Sequence, residues 1–355
     1  MLAESKLASA LSAKHIPKLD ALRAISALFV MLFHFGLPVP PGFGVLCFFI
    51  ISGFLITWLL LAEYETRGRV SLRKFYARRS LRIFPAFYVW WIILTAIVVF
   101  RHHANYFGYA ISAFFYVSDY YVGLHPLPEN GYTLTWSLSV EEQFYVLWPL
   151  VFCRLMPNRK RLLKVLATII VCIWIYRPLL RVLGVNQAYV YNTFECRADA
   201  ILVGCGLAIL LRSGFWPRFW ELLCRHWSLL AANMLILGLI LSIRLPNSWF
   251  RDTVGHAIEP LFIAAILVQL LGIEFRPLRV LDAQPLRYLG QISYSTYLYH
   301  GLFPVPHAWP VILRLLPAYA LASLSFFLVE RPFLRLKDRW FQAPNKVQAL
   351  QYKEV

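Results

Sequence analysis

The chain has 355 residues, of which 59% are hydrophobic and only 15% charged, and its mean hydropathy is +0.59. A soluble globule of this composition would expose large apolar patches, so that class is excluded. Apolar runs of about 20 residues recur along nearly the whole chain, which suits membrane-crossing helices and is far too long for barrel strands. The sequence therefore predicts an all-α, polytopic membrane protein.

The net charge of +17 does not indicate nucleic-acid binding, because Lys and Arg are gathered in short loops between the apolar runs. That distribution is the one that sets the orientation of membrane proteins. The six cysteines lie mostly within or beside apolar runs, and they show neither a Cys-x-x-Cys pair nor a Cys/His ligand spacing. We therefore expect no disulfide framework and no metal site.

Ten apolar runs are evident, at 21–37, 44–62, 83–100, 136–153, 165–182, 198–211, 228–244, 256–272, 288–304 and 310–329. With a cytoplasmic N-terminus and ten crossings, the cytoplasmic segments hold 27 of the 35 Lys and Arg residues. A crossing by the aromatic segment 105–122 would place the basic residues at 159–161 outside, against the positive-inside bias. We predict about ten transmembrane helices plus one interfacial or re-entrant segment, with a cytoplasmic amphipathic N-terminus (1–18), a membrane domain (19–333) and a cytoplasmic basic tail (334–355).

The first run carries two ionisable residues, Arg23 and His34, which are eleven residues apart. Eleven residues make about three helical turns, so both side chains share one face and lie roughly 16 Å apart along the axis. Ionisable groups within a membrane are costly and often functional. The alternative is that Arg23 anchors the helix at the interface and His34 is a satisfied histidine of the bundle.

Glu141, near the start of the fourth run, reaches a depth similar to that of His34 and is suited to orient its imidazole as a general base. The alternative is a structural ion pair between two spans. Arg79 and Arg82 are three residues apart at a membrane boundary, where they suit a phosphorylated cytoplasmic ligand or simply mark topology. His300 lies at about the depth of His34 and either binds substrate or bonds to a neighbouring span. Arg197 and Asp199 are expected to pair with each other.

In this order, these residues resemble the acyltransferase 3 family of bacterial and animal membrane proteins, over roughly 19–333. The resemblance rests on the opening Leu19-Asp20-x-Leu22-Arg23 with His34, Gly44-Val45 with Phe48-Phe49-Ile50-Ile51-Ser52-Gly53-Phe54, Arg79-x-x-Arg82-Ile83-x-Pro85, Trp136-Ser137-Leu138-Ser139-Val140-Glu141-x-x-Phe144-Tyr145, Arg197-x-Asp199-Ala200 with Gly204, and Glu330-Arg331-Pro332-Phe333. Each motif is weak alone, but the ordered set is specific. Leu46 stands where many relatives carry a polar residue.

The resemblance implies transfer of an acyl group, usually acetyl, from cytoplasmic acyl-CoA to a hydroxyl of a cell-envelope carbohydrate or lipid-linked glycan. It implies a location in the bacterial inner (plasma) membrane, in contact with lipid. It implies that His34 is catalytic and that Arg23, Arg79 and Arg82 hold the donor. We add Ser52 to the donor side, Glu141 to the catalytic pair, and Trp136, Tyr297 and His300 to the acceptor side. The oligomeric state is left open.

Two routes suit these residues. In one, His34 takes the acceptor's proton as the hydroxyl attacks the thioester. In the other, His34 carries the acyl group as a covalent intermediate. From a different class of function, an exporter of a sugar or lipid precursor would use the same polar cluster as a binding site, although the halves of the chain show no evident repeat.

Overall fold

The computed structural model describes residues 7, 11, 16–40, 42–125, 131–242, 249–302 and 310–341. Within these residues every regular element is helical and no strand occurs, so the all-α prediction is confirmed. Most of the predicted N-terminal segment and the end of the basic tail lie outside the described residues. Of the first fifteen residues only Leu7 and Leu11 are described, and both are buried.

Sixteen α-helices are described, with the following bounds: α1 Pro17–His34, α2 Phe43–Arg67, α3 Leu72–Phe100, α4 Phe107–Phe114, α5 Ser118–Leu124, α6 Thr135–Leu155, α7 Arg159–Val182, α8 Gln187–Asn192, α9 Phe194–Arg212, α10 Pro217–Leu223, α11 Trp227–Ser242, α12 His256–Gly272, α13 Gln284–Gln291, α14 Ser293–Tyr299, α15 Val311–Ser325 and α16 Arg331–Phe341. Short 3₁₀ helices occupy Ala104–Tyr106, Arg276–Asp282 and His300–Leu302, and π-helical turns occupy Arg251–Gly255 and Phe326–Glu330. The π turns join α12 and α15 to their neighbouring segments.

Five continuous helical stretches among the described residues are long and apolar enough to cross a membrane: α2, α3, α7, Arg251–Gly272 and Val311–Phe341. The pair α10 and α11, which is bent by 82°, would make a sixth if it is one broken span. Exposed apolar side chains such as Ile175, Leu235 and Leu328 give these helices a surface suited to lipid. By length and composition alone, the described residues thus contain five or six membrane spans, fewer than the ten that the sequence predicts.

The remaining predicted spans are short, broken or charged. Helices α1, α6 and α9 have 18, 21 and 19 residues but contain the charged residues on which the site predictions rest. The predicted run 288–304 is divided between α13, α14 and a 3₁₀ turn. Segment 105–122 forms the separate helices α4 and α5, of eight and seven residues, neither of which is long enough to cross.

Helix α2 lies at the centre of the bundle and packs closely against α9. The contact is reciprocal, because a methyl group at Gly53 would overlap the carbonyl of Ile201, and one at Gly204 would overlap the carbonyl of Ile50. Small residues that let two backbones approach are a common way to pack helices in membranes, where water does not drive apolar groups together. This contact fixes the position of Ser52, which adjoins Gly53.

Ion pairs mark the two ends of the bundle. At one end, the Glu65 carboxylate lies 2.8 Å from Nη2 of Arg159 and 2.7 Å from Nε of Arg212, joining the end of α2 to the start of α7 and the end of α9. At the other end, the Arg177 guanidinium lies 2.8 Å from the Asp199 carboxylate. The loops after α2, before α7 and after α9 therefore share one end of the molecule, which we call the arginine end.

Candidate active site

A cavity of about 1280 Å³ opens between α1, α2, α3 and α6. Small-molecule sites are typically about 300–1,000 Å³, so this cavity has room for an extended ligand. Six of the nine predicted site residues line it: Arg23, Ser52, Arg79, Arg82, Glu141 and Tyr297. The other three lie behind the lining residues. Trp136 packs against Phe49 of the wall, His300 packs against Tyr297, and His34 packs against His300.

The three arginines come from two helices and gather in this cavity, close enough to interact electrostatically. The Arg23 Nη1 lies 3.4 Å from Asp20 Oδ1 on its own helix. The Arg79 guanidinium carbon lies 3.5 Å from the centre of the Tyr145 ring, and its buried Nε has no hydrogen-bond partner among the described residues. Arg82 remains exposed. Gathered guanidinium groups with donors to spare are suited to phosphate or carboxylate ligands.

Acidic residues in the same wall bring its formal charge close to balance. They are Asp20, Glu65, Glu141, Glu142, Glu330 and Asp338, and they face Arg23, Arg79, Arg82, Arg212 and Lys337. An anion would therefore be attracted locally, by the arginine group, and not by the field of the whole cavity. The buried Nε of Arg79, which has no hydrogen-bond partner among the described residues, is a donor that such an anion could use.

Ser52 and Glu141 form a pair within this cavity. The Ser52 hydroxyl donates to Oε1 of Glu141 at 2.8 Å, across α2 and α6. Glu141 also interacts electrostatically with Arg79, Arg23 and Arg82. The sequence analysis expected Glu141 to orient His34. At Nδ1 of His34 that role belongs instead to the Val30 carbonyl, which lies 2.8 Å away on the same helix.

The two histidines predicted to lie at similar depth come together. Their ring centres are 5.1 Å apart. Nδ1 of His300 lies 2.6 Å from the Tyr297 carbonyl. A carbonyl can only accept, so in each ring Nδ1 carries the proton and the lone pair of a neutral imidazole is on Nε2. Each histidine is thus held in the tautomer whose Nε2 is able to take a proton or attack a carbonyl carbon.

Tyr297 stands between the cavity and the histidine pair. Its ring centre lies 5.6 Å from that of His300 and 6.2 Å from that of Phe48. Its hydroxyl lies 2.6 Å from the Ser137 hydroxyl and donates to the Leu134 carbonyl at 2.9 Å. These two bonds hold the ring in place at the inner limit of the cavity.

The Trp136 side chain lies away from Arg23, Arg79 and Arg82, towards the end of the bundle opposite the arginine end. Its ring centre lies 5.3 Å from that of Tyr191, on the short helix α8. Burial raises the pKa of the Tyr191 phenol above its ordinary value, so its hydroxyl stays protonated. Trp136 therefore connects the histidine region with a second polar cluster that includes Arg197.

The same end holds a buried carboxyl group, Asp119 of α5. It accepts hydrogen bonds from Nε2 of Gln143 at 2.9 Å and from the Phe194 backbone at 3.1 Å. Burial raises the pKa of Asp119 to about 7, although these hydrogen bonds lower it in part. Asp119 is a junction between α5, α6 and α9.

The sequence analysis did not single out three residues that take part in these contacts. Tyr145 carries the Arg79 guanidinium, Glu330 accepts a hydrogen bond from Ser295 and interacts with Arg82, and Arg177 is the ion-pair partner of Asp199. Tyr145 and Glu330 belong to the quoted motifs, which was the available signal. The expected pairing of Asp199 with Arg197 is wrong. Residues two apart on a helix point to different faces, and Asp199 forms its ion pair with Arg177 of α7 instead.

Comparison with known proteins agrees with these features. The family model described as an acyltransferase domain matches residues 16–329. The chain is 31% identical to the peptidoglycan O-acetyltransferase OatA of Listeria monocytogenes, over 90% of this chain and 56% of that protein. It is 30% identical to the putative peptidoglycan O-acetyltransferase YrhL of Bacillus subtilis, over 90% of this chain and 55% of that protein. It is 29% identical to the O-acetyltransferase OatA of Staphylococcus aureus, over 94% and 59%.

The chain thus spans between about half and three fifths of the length of these curated relatives. No solved structure matches it. The family model covers most of the chain, including every residue of the cavity and of the histidine pair that the sequence analysis predicted. The chain therefore belongs to the acyltransferase 3 family of membrane proteins.

Proposed function

We propose that this protein transfers an acyl group, acetyl in the first instance, from acyl-CoA to a hydroxyl of a cell-envelope glycan. One observation carries the proposal. Three arginines with Ser52 and Glu141 line a single cavity, which ends at Tyr297 beside the His34 and His300 rings. The relatives' names, which specify peptidoglycan O-acetylation, support a carbohydrate acceptor, free or lipid-linked.

In this mechanism Arg79 and Arg82, with Arg23, bind the phosphate groups of the donor, and its thioester extends past Tyr297 towards His34. The acceptor oxygen attacks the thioester carbonyl as Nε2 of His34 takes the hydroxyl proton. The new C–O ester bond forms, the C–S bond breaks, and the imidazolium returns its proton to the departing thiolate. In the competing route Nε2 itself attacks the thioester carbonyl and the C–S bond breaks, releasing the thiolate. The acceptor oxygen then attacks the acyl-imidazole, the C–N bond breaks, and the hydroxyl proton goes to the thiolate.

We further propose ten crossings. Beyond the five continuous spans and the bent pair, α1, α6 and α9 are long enough, and the broken segment 284–302 completes the number. The arginine end then faces the cytoplasm of a bacterial cell, at its inner membrane, because the segments at that end hold most of the Lys and Arg residues. Acyl-CoA is made in the cytoplasm, so this orientation brings the donor to the cavity.

A single-turnover experiment tests the proposal. Purified full-length protein in detergent is mixed with acetyl-labelled acetyl-CoA, with and without a glycan acceptor, and ester product and labelled protein are measured. We expect ester formation by the unaltered chain and a loss of about 10²–10⁴-fold in His34→Ala, the range for removal of a general base. His103→Ala removes an exposed histidine and is the matched control. Labelled protein without acceptor would select the covalent route.

Equal ester formation by a correctly folded His34→Ala variant would refute both routes. An exporter would behave differently again. It would move a sugar or lipid precursor across the membrane of proteoliposomes, and neither the unaltered chain nor His34→Ala would consume the thioester.

A further inference from the structure

A second group of charged side chains lies at the end of the bundle opposite the arginine end. Three carboxylates of this group have an arginine partner. Asp199 lies 2.8 Å from Arg177, Asp252 lies 3.4 Å from Arg181, and Glu259 lies 3.7 Å from Arg251. All three carboxylates are buried. Charges removed from bulk solvent persist in proteins when they are paired in this way.

Arg197 is the fourth arginine of this group, and it has no such partner. Its side chain is buried, with 1% of the residue exposed. None of its three guanidinium nitrogens has a hydrogen-bond partner among the described residues. Asp199 and Glu259 are near enough to interact with it electrostatically, but each forms its ion pair with another arginine. The guanidinium donors of Arg197 are thus unused among the described residues, which is costly unless a ligand uses them.

Aromatic side chains cover this arginine. The Arg197 guanidinium carbon lies 5.2 Å from the centre of the Tyr191 ring, which in turn packs against Trp136 and, at 5.7 Å, against His256. Tyr191 is only half-buried, so one ring separates Arg197 from the surface. Aromatic walls with a few convergent polar groups are the usual composition of small-molecule sites.

The aromatic side chains adjoin the histidine region through one turn of α6. Trp136 precedes Ser137, whose hydroxyl bonds to that of Tyr297, and Tyr297 contacts His300 beside His34. Arg197 therefore lies on the side of the imidazoles away from Arg23, Arg79 and Arg82. A ligand anchored at Arg197 approaches the histidines from the opposite direction to the donor.

We propose that Arg197, with Tyr191 and Trp136, binds the carboxylate of an acidic sugar and so selects the acyl acceptor. A single guanidinium matches the charge of a monoanionic carboxylate better than that of a phosphate dianion. The guanidinium fork offers two parallel N–H donors to the two oxygens of a carboxylate. This inference rests on the proposed acyl transfer and extends it by naming the chemical class of the acceptor.

The test compares three acceptors built on one oligosaccharide: its free carboxylate, the methyl ester of that carboxylate, and a phosphorylated form. We expect kcat/KM for acetylation to be roughly 10- to 100-fold higher for the carboxylate than for the ester, the range for hydrogen bonds to a charged group. Arg197→Gln should abolish this preference, because its loss of rate falls mainly on the carboxylate acceptor. Arg197→Lys keeps the positive charge but lacks the two parallel N–H donors, so it should lose part of the preference for the carboxylate.

Matched controls make each result decisive. Arg101→Gln removes an exposed arginine of a connecting loop and should alter neither preference nor rate. The KM for acetyl-CoA should stay the same in every variant, because Arg197 does not line the donor cavity. If Arg197→Gln does not fold, the inference is still tested by comparing the preference for carboxylate over ester in the unaltered chain with that in Arg197→Lys.

Several outcomes would overturn the inference. These are equal use of carboxylate and ester by the unaltered chain, preference for the phosphorylated acceptor, and equal losses on all acceptors in Arg197→Gln, which would mean a structural role. Transfer to the neutral ester without preference would defeat this inference and leave the proposed function intact. No transfer to any hydroxyl would defeat the proposed function itself.

Discussion

Replacing Arg79 with glutamine should raise the KM for acetyl-CoA by roughly 10- to 100-fold. The Arg79 guanidinium is held over the Tyr145 ring at 3.5 Å, and its buried Nε has no partner among the described residues. A hydrogen bond to a charged group in such a place contributes about 1.5–3 kcal/mol, and each 1.4 kcal/mol is about tenfold in affinity. Exposed Arg82 should matter less, because solvent-screened pairs contribute only about 0.2–1 kcal/mol, or roughly fivefold at most.

The assay compares two donors. Acetyl-CoA carries phosphate groups, whereas S-acetyl-pantetheine presents the same thioester without them. If Arg79 binds phosphate, Arg79→Gln should raise the KM for acetyl-CoA and leave kcat/KM for the pantetheine thioester unchanged. Arg73→Gln, which removes an exposed arginine of the same helix, is the matched control. Equal losses with both donors would refute the phosphate role and assign Arg79 to packing against Tyr145.

Three further predictions concern the bundle and its polar junctions. Gly53→Val should lower the free energy of unfolding by at least about 1–3 kcal/mol, read as a lower melting temperature in detergent, because its side chain overlaps Ile201. Gly238→Ala should not, because no other part of the described structure lies within 4 Å of the added methyl group. The pKa of Asp119 is raised to about 7, above its unfolded value near 4. Between these pH values the folded protein keeps the Asp119 proton and the unfolded chain loses it, so the contribution of Asp119 to the free energy of unfolding falls as the pH rises from about 4 to 7. Asp119→Asn should flatten the melting temperature between pH 5 and 7.5, and an unchanged slope would contradict the assignment. Tyr297→Phe, which loses the hydrogen bonds to Ser137 and Leu134, should raise the hydrolysis of acetyl-CoA in the absence of acceptor severalfold, because the ring is then free to move away from the inner limit of the cavity. Unchanged hydrolysis would exclude a role of Tyr297 in closing the cavity.

The helical membrane class was predictable because it depends on composition and on the length of apolar runs, both of which are local properties. The arginine motif was predictable in the same way, since Arg79 and Arg82 are three residues apart on one helix. The positions of breaks were less predictable. The run 288–304 is long enough to be predicted as one span, yet it divides into two short helices and a 3₁₀ turn.

Partners across helices could not be read from spacing. Glu141 bonds to Ser52, 89 residues earlier, and Asp199 pairs with Arg177 of α7 although Arg197 is two positions away. Helical periodicity places a side chain on a face of its own helix, but the rotation and separation of two helices depend on how their surfaces pack. Here the close approach of Gly53 and Gly204 sets that packing. It brings Ser52 to the cavity that Arg79 and Glu141 also line, while Arg197 is left buried behind Tyr191.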